Sequence, residues 1–400
     1  MEDWFQVENF KSEISLDSWG KRELRVECNT HRILDLLDEA CKGSIRPNAQ
    51  HRPSDIEDRM KDEIWEEGDG SGEQGTGIGR QEGFHSPPFT QNNVARAPHS
   101  QPQTASTQPT NKPNKPDQPN ELKKNRVCAT FFVLGWIARK LPNLVREIRD
   151  RGHEVASHGI NHRLCTDESI AGLRRELADS KALLEDIIGD RIVGYRAPSF
   201  SVNNDILKII EDAGYQYDAS YNSFDRHGRY GRLNTSGFHK SGIAYKVTDD
   251  FYELPVSNLS IQNSKFKINN LIFPWGGGGY FRLVPYTIFK KGIRHILAHD
   301  GAYSFYLHPW EADPDQPRVD NAPRLLKFRH YVNLSSTAGK IRRMLHDFKD
   351  CTFVTCRAYV EAAANDRMNI ECPTANSEWE KIDNRHMIWR TDSLNIRSEL

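Results

Sequence analysis

Two histidines four residues apart, His158 and His162 in the run Ser157-His-Gly-Ile-Asn-His162, are the first residues whose types and spacing point to chemistry. On a helical turn that spacing sets both imidazoles on one face, close enough to share a metal ion. Imidazole suits zinc and similar ions. A bare H-x-x-x-H is more often a pair of surface or core histidines. Here it follows a strand-like run, which favours metal binding. A hydrolytic zinc site commonly has three protein ligands and an open position for water. Glu2 and Asp3 are candidates for the third, in a run, Glu2-Asp-Trp-Phe-Gln-Val7, that reads as a strand end with acids at its tip. Arg196, in Arg-Ala-Pro-Ser-Phe200, stands where its fork can grip a carboxylate or simply make a surface ion pair. His308, in Phe305-Tyr-Leu-His-Pro-Trp-Glu311, is placed to serve as a general acid or to sit satisfied in a core. The loop Trp275-Gly-Gly-Gly-Gly-Tyr280 lacks the lysine of a phosphate-binding loop. Trp275 and Tyr280, flanking the open backbone at Gly277, suit stacking on a sugar face; a plain glycine turn fits equally well.

The elements that must position these residues are legible between Asn125 and about Ala364. Val127–Val133 is a short apolar run rich in β-formers and reads as a buried strand. Pro142–Asp150 has helical spacing, with Leu144, Val145 and Ile148 on one face and Gly152 as a stop. Glu154–Ser157 is a second strand and delivers His158. Ile170–Ile188 is an amphipathic helix with Leu173, Leu177, Leu184 and Ile188 in register. Ile192–Tyr195 is a strand that delivers Arg196. Asn204 is read as the cap of a helix running through Ile210 to Gly214. This alternation predicts an α/β fold with a parallel sheet, in which functional groups gather past the carboxyl ends of the strands.

Composition divides the chain further. Apolar residues make up 37% of the 400, and mean hydropathy is -0.70, low for one compact globule. Residues 1–42 and 125–364 are read as one split domain. Residues 43–124, rich in Gly, Pro, Gln, Asn and Thr, are read as a disordered insertion, because apolar groups there are too sparse to offset ordering entropy. Residues 365–400 are read as a polar tail. With 54 basic against 55 acidic residues the net charge is -1, which favours neither nucleic acid nor an anionic membrane. No run approaches a membrane span and no leader is evident, so a cytoplasmic location is expected. Seven scattered cysteines without C-x-x-C spacing argue against a cysteine zinc site.

In order, Glu2-Asp-Trp-Phe5, Thr130-Phe-Phe-Val133, Ser157–His162, Arg196–Phe200, Tyr217-Asp-Ala-Ser220 and Tyr306-Leu-His-Pro309 resemble the polysaccharide deacetylase family (NodB homology, carbohydrate esterase family 4). Within it they look closest to the branch found with exosortase and exopolysaccharide gene clusters. The resemblance implies a distorted (β/α) barrel, and a divalent metal, usually zinc, held by His158, His162 and either Glu2 or Asp3. Glu2 is preferred, since the family's third ligand lies one or two residues past its catalytic Asp. It also implies Arg196 orienting that Asp, His308 as general acid, and an acetylated polysaccharide as substrate. The family's base would fall two residues before Glu2, ahead of Met1. The family's Asp-rich Trp motif before the last histidine is absent, which leaves Asp218 as a weak candidate to orient His308 and more naturally a structural acid. Two other readings stay open: an amide hydrolase acting on a small cyclic ureide, and an inactive sugar-binding homologue.

Overall fold

The computed structural model describes residues 1–7, 14–42, 126–224, 231–263, 268–365 and 386–391. Contacts group Met1–Ala49 with Leu122–Leu400 as one compact unit, apart from Gln50–Glu121. The expected insertion at 43–124 lies outside the described residues.

The chain opens with helix α1 (Val26–Cys41), then strand β1 (Thr130–Val133), helices α2 (Gly135–Lys140) and α3 (Pro142–Asp150), strand β2 (Glu154–Ser157) and helix α4 (Ile170–Ile188). Strand β3 (Gly194–Tyr195), helix α5 (Asn204–Asp212) and strand β4 (Tyr217–Asp218) follow, then β5 (His239–Ser241), β6 (Ala244–Lys246), β7 (Tyr252–Glu253), β8 (Leu259–Asn263) and β9 (Ile268–Phe273). Helices α6 (Gly278–Leu283) and α7 (Tyr286–Asp300) lead to β10 (Ala302–Tyr306), and α8 (Arg324–Tyr331) and α9 (Leu334–Asp347) to β11 (Thr352–Val354), α10 (Cys356–Ala364) and β12 (His386–Thr391).

Local signals explain most boundaries. Pro142 opens α3, where its fixed φ suits the first turn and no amide is lost. Gly152, at φ +74°, lets the chain reverse into β2. Ser169 caps α4 by accepting from the Gly172 amide, and Gly189 ends it in the left-handed conformation. The cap of α5 is Asn203 rather than Asn204: its side chain accepts from the Ile206 amide.

The main sheet runs β10-β12-β1-β2-β3-β4-β7-β6-β5, with β11 also paired to β12. Every pair from β10 to β7 is parallel; only the β5–β6 and β6–β7 pairs are antiparallel. It is an α/β fold with a mixed sheet and flanking helices, whose apolar faces pack on it through Leu144, Val145, Ile148, Leu177, Leu184 and Ile293. Parallel pairing brings the carboxyl ends of β1, β2, β3, β4 and β10 to one edge. Among the described residues no helix is long and apolar enough to cross a membrane.

Two expectations need correction. Met1–Val7 makes turns, not a strand, although the Met1 amino group donates to the Phe132 carbonyl beside β1. The residues from 365 onward are not a featureless tail: β12 lies inside the sheet between β10 and β1. Its apolar residues are too few to signal a strand alone, and its ladder comes from distant partners. Met387 and Ile388 are fully buried. Ile388→Ala is therefore expected to cost about 3 kcal/mol, as a buried aliphatic truncation does, read as a lower midpoint in thermal or urea unfolding. An unchanged midpoint would show that β12 is not docked in solution.

Candidate metal centre

His158 follows the last residue of β2, and its amide donates to Val133 O at the end of β1 (3.0 Å). Arg196 follows β3, and its amide donates to Ser157 O (3.0 Å). The ladder thus sets neighbouring strand ends side by side and projects their next residues from one edge. His162 arrives differently. His158–His162 is a loop, not a helical turn, with Gly159 at φ +74° and His162 itself at φ +54°. The left-handed kinks, not helical periodicity, bring the two imidazoles to 5.2 Å between ring centres.

Glu2 completes the group. Its Oε1 lies 3.1 Å from His158 Nε2 and 2.7 Å from His162 Nε2. The three side chains offer ligand atoms all within 4.8 Å of one another and are buried. Glu2 Oε2 is buried with no hydrogen-bond partner among the described residues. Burial pushes the Glu2 carboxyl up, but the His162 charge and the hydrogen bonds of both histidines outweigh it and hold it well below the usual carboxylate range. Burial pulls the His158 imidazole down to about 3, so it is neutral near pH 7. His158 Nδ1 faces Arg196 O at 2.7 Å, and a carbonyl only accepts, so the proton sits on Nδ1 and the Nε2 lone pair points at Glu2. A neutral imidazole oriented from behind, with a carboxylate kept ionised and one oxygen unpartnered, fits a divalent cation.

Asp3 stands outside this group. Its Oδ2 accepts from the Arg25 and Val26 amides (2.6 and 2.9 Å) and its Oδ1 from Trp4 N (2.7 Å). It holds the amino end of α1, where a carboxylate meets unpaired amides and the positive end of the helix dipole. Burial, opposed by those amides, raises its carboxyl to about 6. Asp3→Ala is expected to lower stability by about 1–2 kcal/mol and to leave metal content intact. Loss of metal in a folded D3A protein would return Asp3 to the ligand set.

Arg196 is buried at 1% exposure, its guanidinium over the rings of Phe200 (4.5 Å), Tyr306 (4.9 Å) and Phe132 (5.7 Å). Aromatic stacking fixes the residue whose carbonyl holds His158. Asp218 accepts from the Ser220 amide and hydroxyl (3.0 and 2.8 Å), and Ser220 Oγ accepts from Ala197 N (2.8 Å). Its role is to brace the Arg196 loop, with no bond to His308.

His308 lies two residues past β10 and is fully buried. Its Nε2 has no hydrogen-bond partner among the described residues, and its Nδ1 lies 2.8 Å from Glu311 Oε1. Burial lowers the His308 pKa; Glu311 and Glu2 oppose that. Glu311 Oε1 also accepts from the His308 amide (3.0 Å), and its Oε2 accepts from Arg282 Nε (2.8 Å). Arg282 in turn donates to the carbonyls of His330, Val332 and Arg329. Sequence reasoning missed Glu311 and Arg282. The signal for Glu311 was its place three residues after His308 at a helical start, where an N3 carboxylate reaches back to the preceding turn. Nothing in sequence marks Arg282.

The glycine loop does not present Trp275 as an open ring face. Trp275 is 7% exposed; its ring stacks on Phe289 at 5.0 Å, and its Nε1 donates to Phe289 O. Helix α7 packs so closely on it that a Cβ on Gly292 would lie 2.2 Å from Nε1. Gly277 bridges to Tyr306 and Tyr280 is half-buried on α6. The loop lets the chain approach β10, and a Cβ on Gly278 would come 2.3 Å from Glu311 Oε1. The glycines make room for the His308 support.

Residues 112–217 match the family model described as polysaccharide deacetylase, and residues 219–361 one described as a domain of unknown function, DUF3473. Over 95 residues, 24% of this chain and 44% of the relative, the sequence is 30% identical to a peptidoglycan-N-acetylglucosamine deacetylase of Bacillus cereus. It is 34% identical to a chitooligosaccharide deacetylase of Sinorhizobium fredii over 97 residues, 23% of this chain and 44% of that one. A crystal structure from Mycobacterium smegmatis assigned as a polysaccharide deacetylase is 21% identical, with a TM-score of 0.37 over 60% of this chain and 72% of that one. The chain thus spans less than half the length of these two curated relatives.

Proposed function

We propose that this chain, which carries a polysaccharide deacetylase domain matched over residues 112–217, hydrolyses N-acetyl groups on a polysaccharide. The observation that carries the reading is the buried Glu2–His158–His162 group facing an equally buried His308 whose Nε2 is unpartnered. Glu2, His158 and His162 would hold a divalent ion, zinc by the family's habit. Such an ion supplies Lewis-acid polarisation of an acetamide carbonyl and acidifies water towards a pKa of about 7.

The protein's own groups do the rest. The Arg196 carbonyl keeps His158 in one tautomer. His308, protonated at Nε2, gives its proton to the departing amine, while Glu311 holds Nδ1 and steadies the positive charge. Burial of all five side chains excludes bulk water and strengthens each of these interactions. The products are acetate and a free amino sugar. A distorted barrel of the family type is part of this reading. Bonds from Ser257 N to Ser304 O (3.3 Å) and from Ser304 N to Ser257 Oγ (2.8 Å), which bring the chain after β7 against β10, support it. A role in exopolysaccharide modification is also part of the reading, with the DUF3473 match as its pointer.

The test is acetate release from chitooligosaccharides and N-acetylated peptidoglycan with added zinc or cobalt, beside allantoin as a cyclic ureide. It is run on this chain and on one carrying an Asp two residues before Glu2, where the resemblance puts the base. Release from the glycans, abolished by His308→Ala, is expected. Turnover of allantoin alone, or acetate from neither protein, sinks the reading.

A further inference from the structure

Beside the proposed centre, but not over it, lies a cavity of about 380 Å³ between α8 and the segment that precedes it. That volume suits a small ligand or one to two sugar units of a longer chain. Arg318, Lys327, Phe328 and Tyr331 line it. Phe328 is 57% exposed, so its ring face is open to the groove. The Arg318 guanidinium lies over the Tyr331 ring at 4.6 Å and is paired with no carboxylate among the described residues. Tyr331 is itself pinned, its hydroxyl donating to Pro317 O (3.1 Å) and accepting from Val319 N (3.0 Å). Lys327 Nζ donates to Asp320 O (3.0 Å), and the Asp320 side chain is the one acid lining the groove, so two cations face one anion.

A train of buried rings links the groove wall to the centre. Tyr331 meets His330 edge-on at 4.7 Å, His330 stacks on Trp310 at 4.1 Å and 8°, and Trp310 stacks on His308 at 5.1 Å. Three ring contacts therefore separate the groove wall from the proposed acid.

We infer that this groove is a subsite for an acidic sugar unit of the same glycan whose acetamide enters the centre, with Arg318 binding its carboxylate and Phe328 the sugar face. The inference rests on the deacetylase reading for the identity of the ligand. A guanidinium placed over an aromatic ring presents its N–H groups as a planar fork, which matches a carboxylate better than a flexible ammonium does. A ring face beside it takes the C–H face of a pyranose. Both features occur in one concave wall, which favours a glycan over a flat lipid surface.

The experiment uses the whole chain and two probes: an oligosaccharide alternating glucuronate with N-acetylglucosamine, and neutral chitohexaose. Calorimetric titration is expected to show about tenfold tighter binding of the acidic probe. That preference is expected to vanish in Arg318→Ala, to fall partway in Arg318→Lys, and to fade near 1 M salt, where charges are screened beyond about 3 Å. Phe328→Ala is expected to weaken both probes. Metal content reports whether each variant is folded. Equal affinities in the unaltered protein, a preference that survives Arg318→Ala, or binding to phosphatidylserine vesicles in place of the acidic probe would each overturn the inference. Binding also separates the two proposals. Arg318-dependent binding without acetate release supports the groove while the deacetylase reading fails; acetate release with equal affinities removes the groove alone.

Discussion

His158→Ala is expected to strip the metal and abolish acetate release in a chain that still folds. His158 is one of the three side chains proposed as ligands among the described residues, and its Nδ1 lies 2.7 Å from the Arg196 carbonyl, which fixes the ring. Loss of a group that merely orients a ligand costs roughly 10–100-fold in metal affinity; loss of the ligand itself must exceed that. The substitution also leaves Glu2, fully buried, with His162 as its remaining imidazole contact. The Glu2 carboxyl, now held down by one imidazole instead of two, moves back up as burial dictates. Metal content by mass spectrometry, read beside far-UV circular dichroism, checks this. Unchanged metal in a folded H158A protein would remove His158 from the ligand set. Asp3→Ala is the contrast: it weakens the start of α1 and keeps the metal.

Glu311→Gln is the second large effect, and it is expected in both rate and stability. One carboxylate serves His308 N, His308 Nδ1 and Arg282 Nε at once. A glutamine has one acceptor oxygen, so either His308 or Arg282 loses its bond, and Arg282, at 2% exposure, loses the one buried counter-charge it has among the described residues. Breaking a buried pair from one side costs about 3 kcal/mol, here moderated by the three carbonyls that Arg282 keeps. For the reaction, burial already lowers the His308 pKa and the Glu311 bond and charge oppose that. Without the charge the pKa falls further. With protonated His308 as the proposed working form, the alkaline limb of kcat/KM is expected to move to lower pH, and kcat to drop by up to about the 10²–10⁴-fold that general-acid catalysis contributes. A purely structural role for Glu311 would lower the unfolding midpoint and leave the pH limb where it is. Glu311 also contributes in its own right. Burial would raise its carboxyl, but Arg282 and His308 outweigh that and lower it. Its stabilisation is therefore present above the ordinary carboxylate pKa and is lost as pH falls through the lowered value. The E311Q protein should show a flatter acid limb of stability.

Strand–helix alternation, the helix around Leu144–Ile148 and the strand ends carrying His158, Arg196 and His308 were legible in the residues themselves. Their signals are local: two- or four-residue periodicity, a proline at a first turn, a glycine at a stop. The same locality explains the misses. Trp275 looked open because its neighbours are glycines, yet Phe289 and Gly292 cover it from a helix that begins eleven residues later. The His158–His162 spacing suggested a shared helical face, and the pair does converge, but through left-handed loop residues. Strand β12 carries almost no pattern, because its register is set by β10, β11 and β1.

Sequence alone determined which residue types could form a centre and the order of elements that would carry them, since parallel strands must end where their side chains can meet. Only the tertiary structure sets Glu2 and Asp3 in different surroundings. The two adjacent acids are chemically alike, and successive side chains on a turning backbone point apart: one towards His158 and His162, the other onto the first amides of α1. It also decided what holds His308, because Arg282 and Glu311 meet only when a glycine-rich approach at Gly278 leaves no Cβ between them.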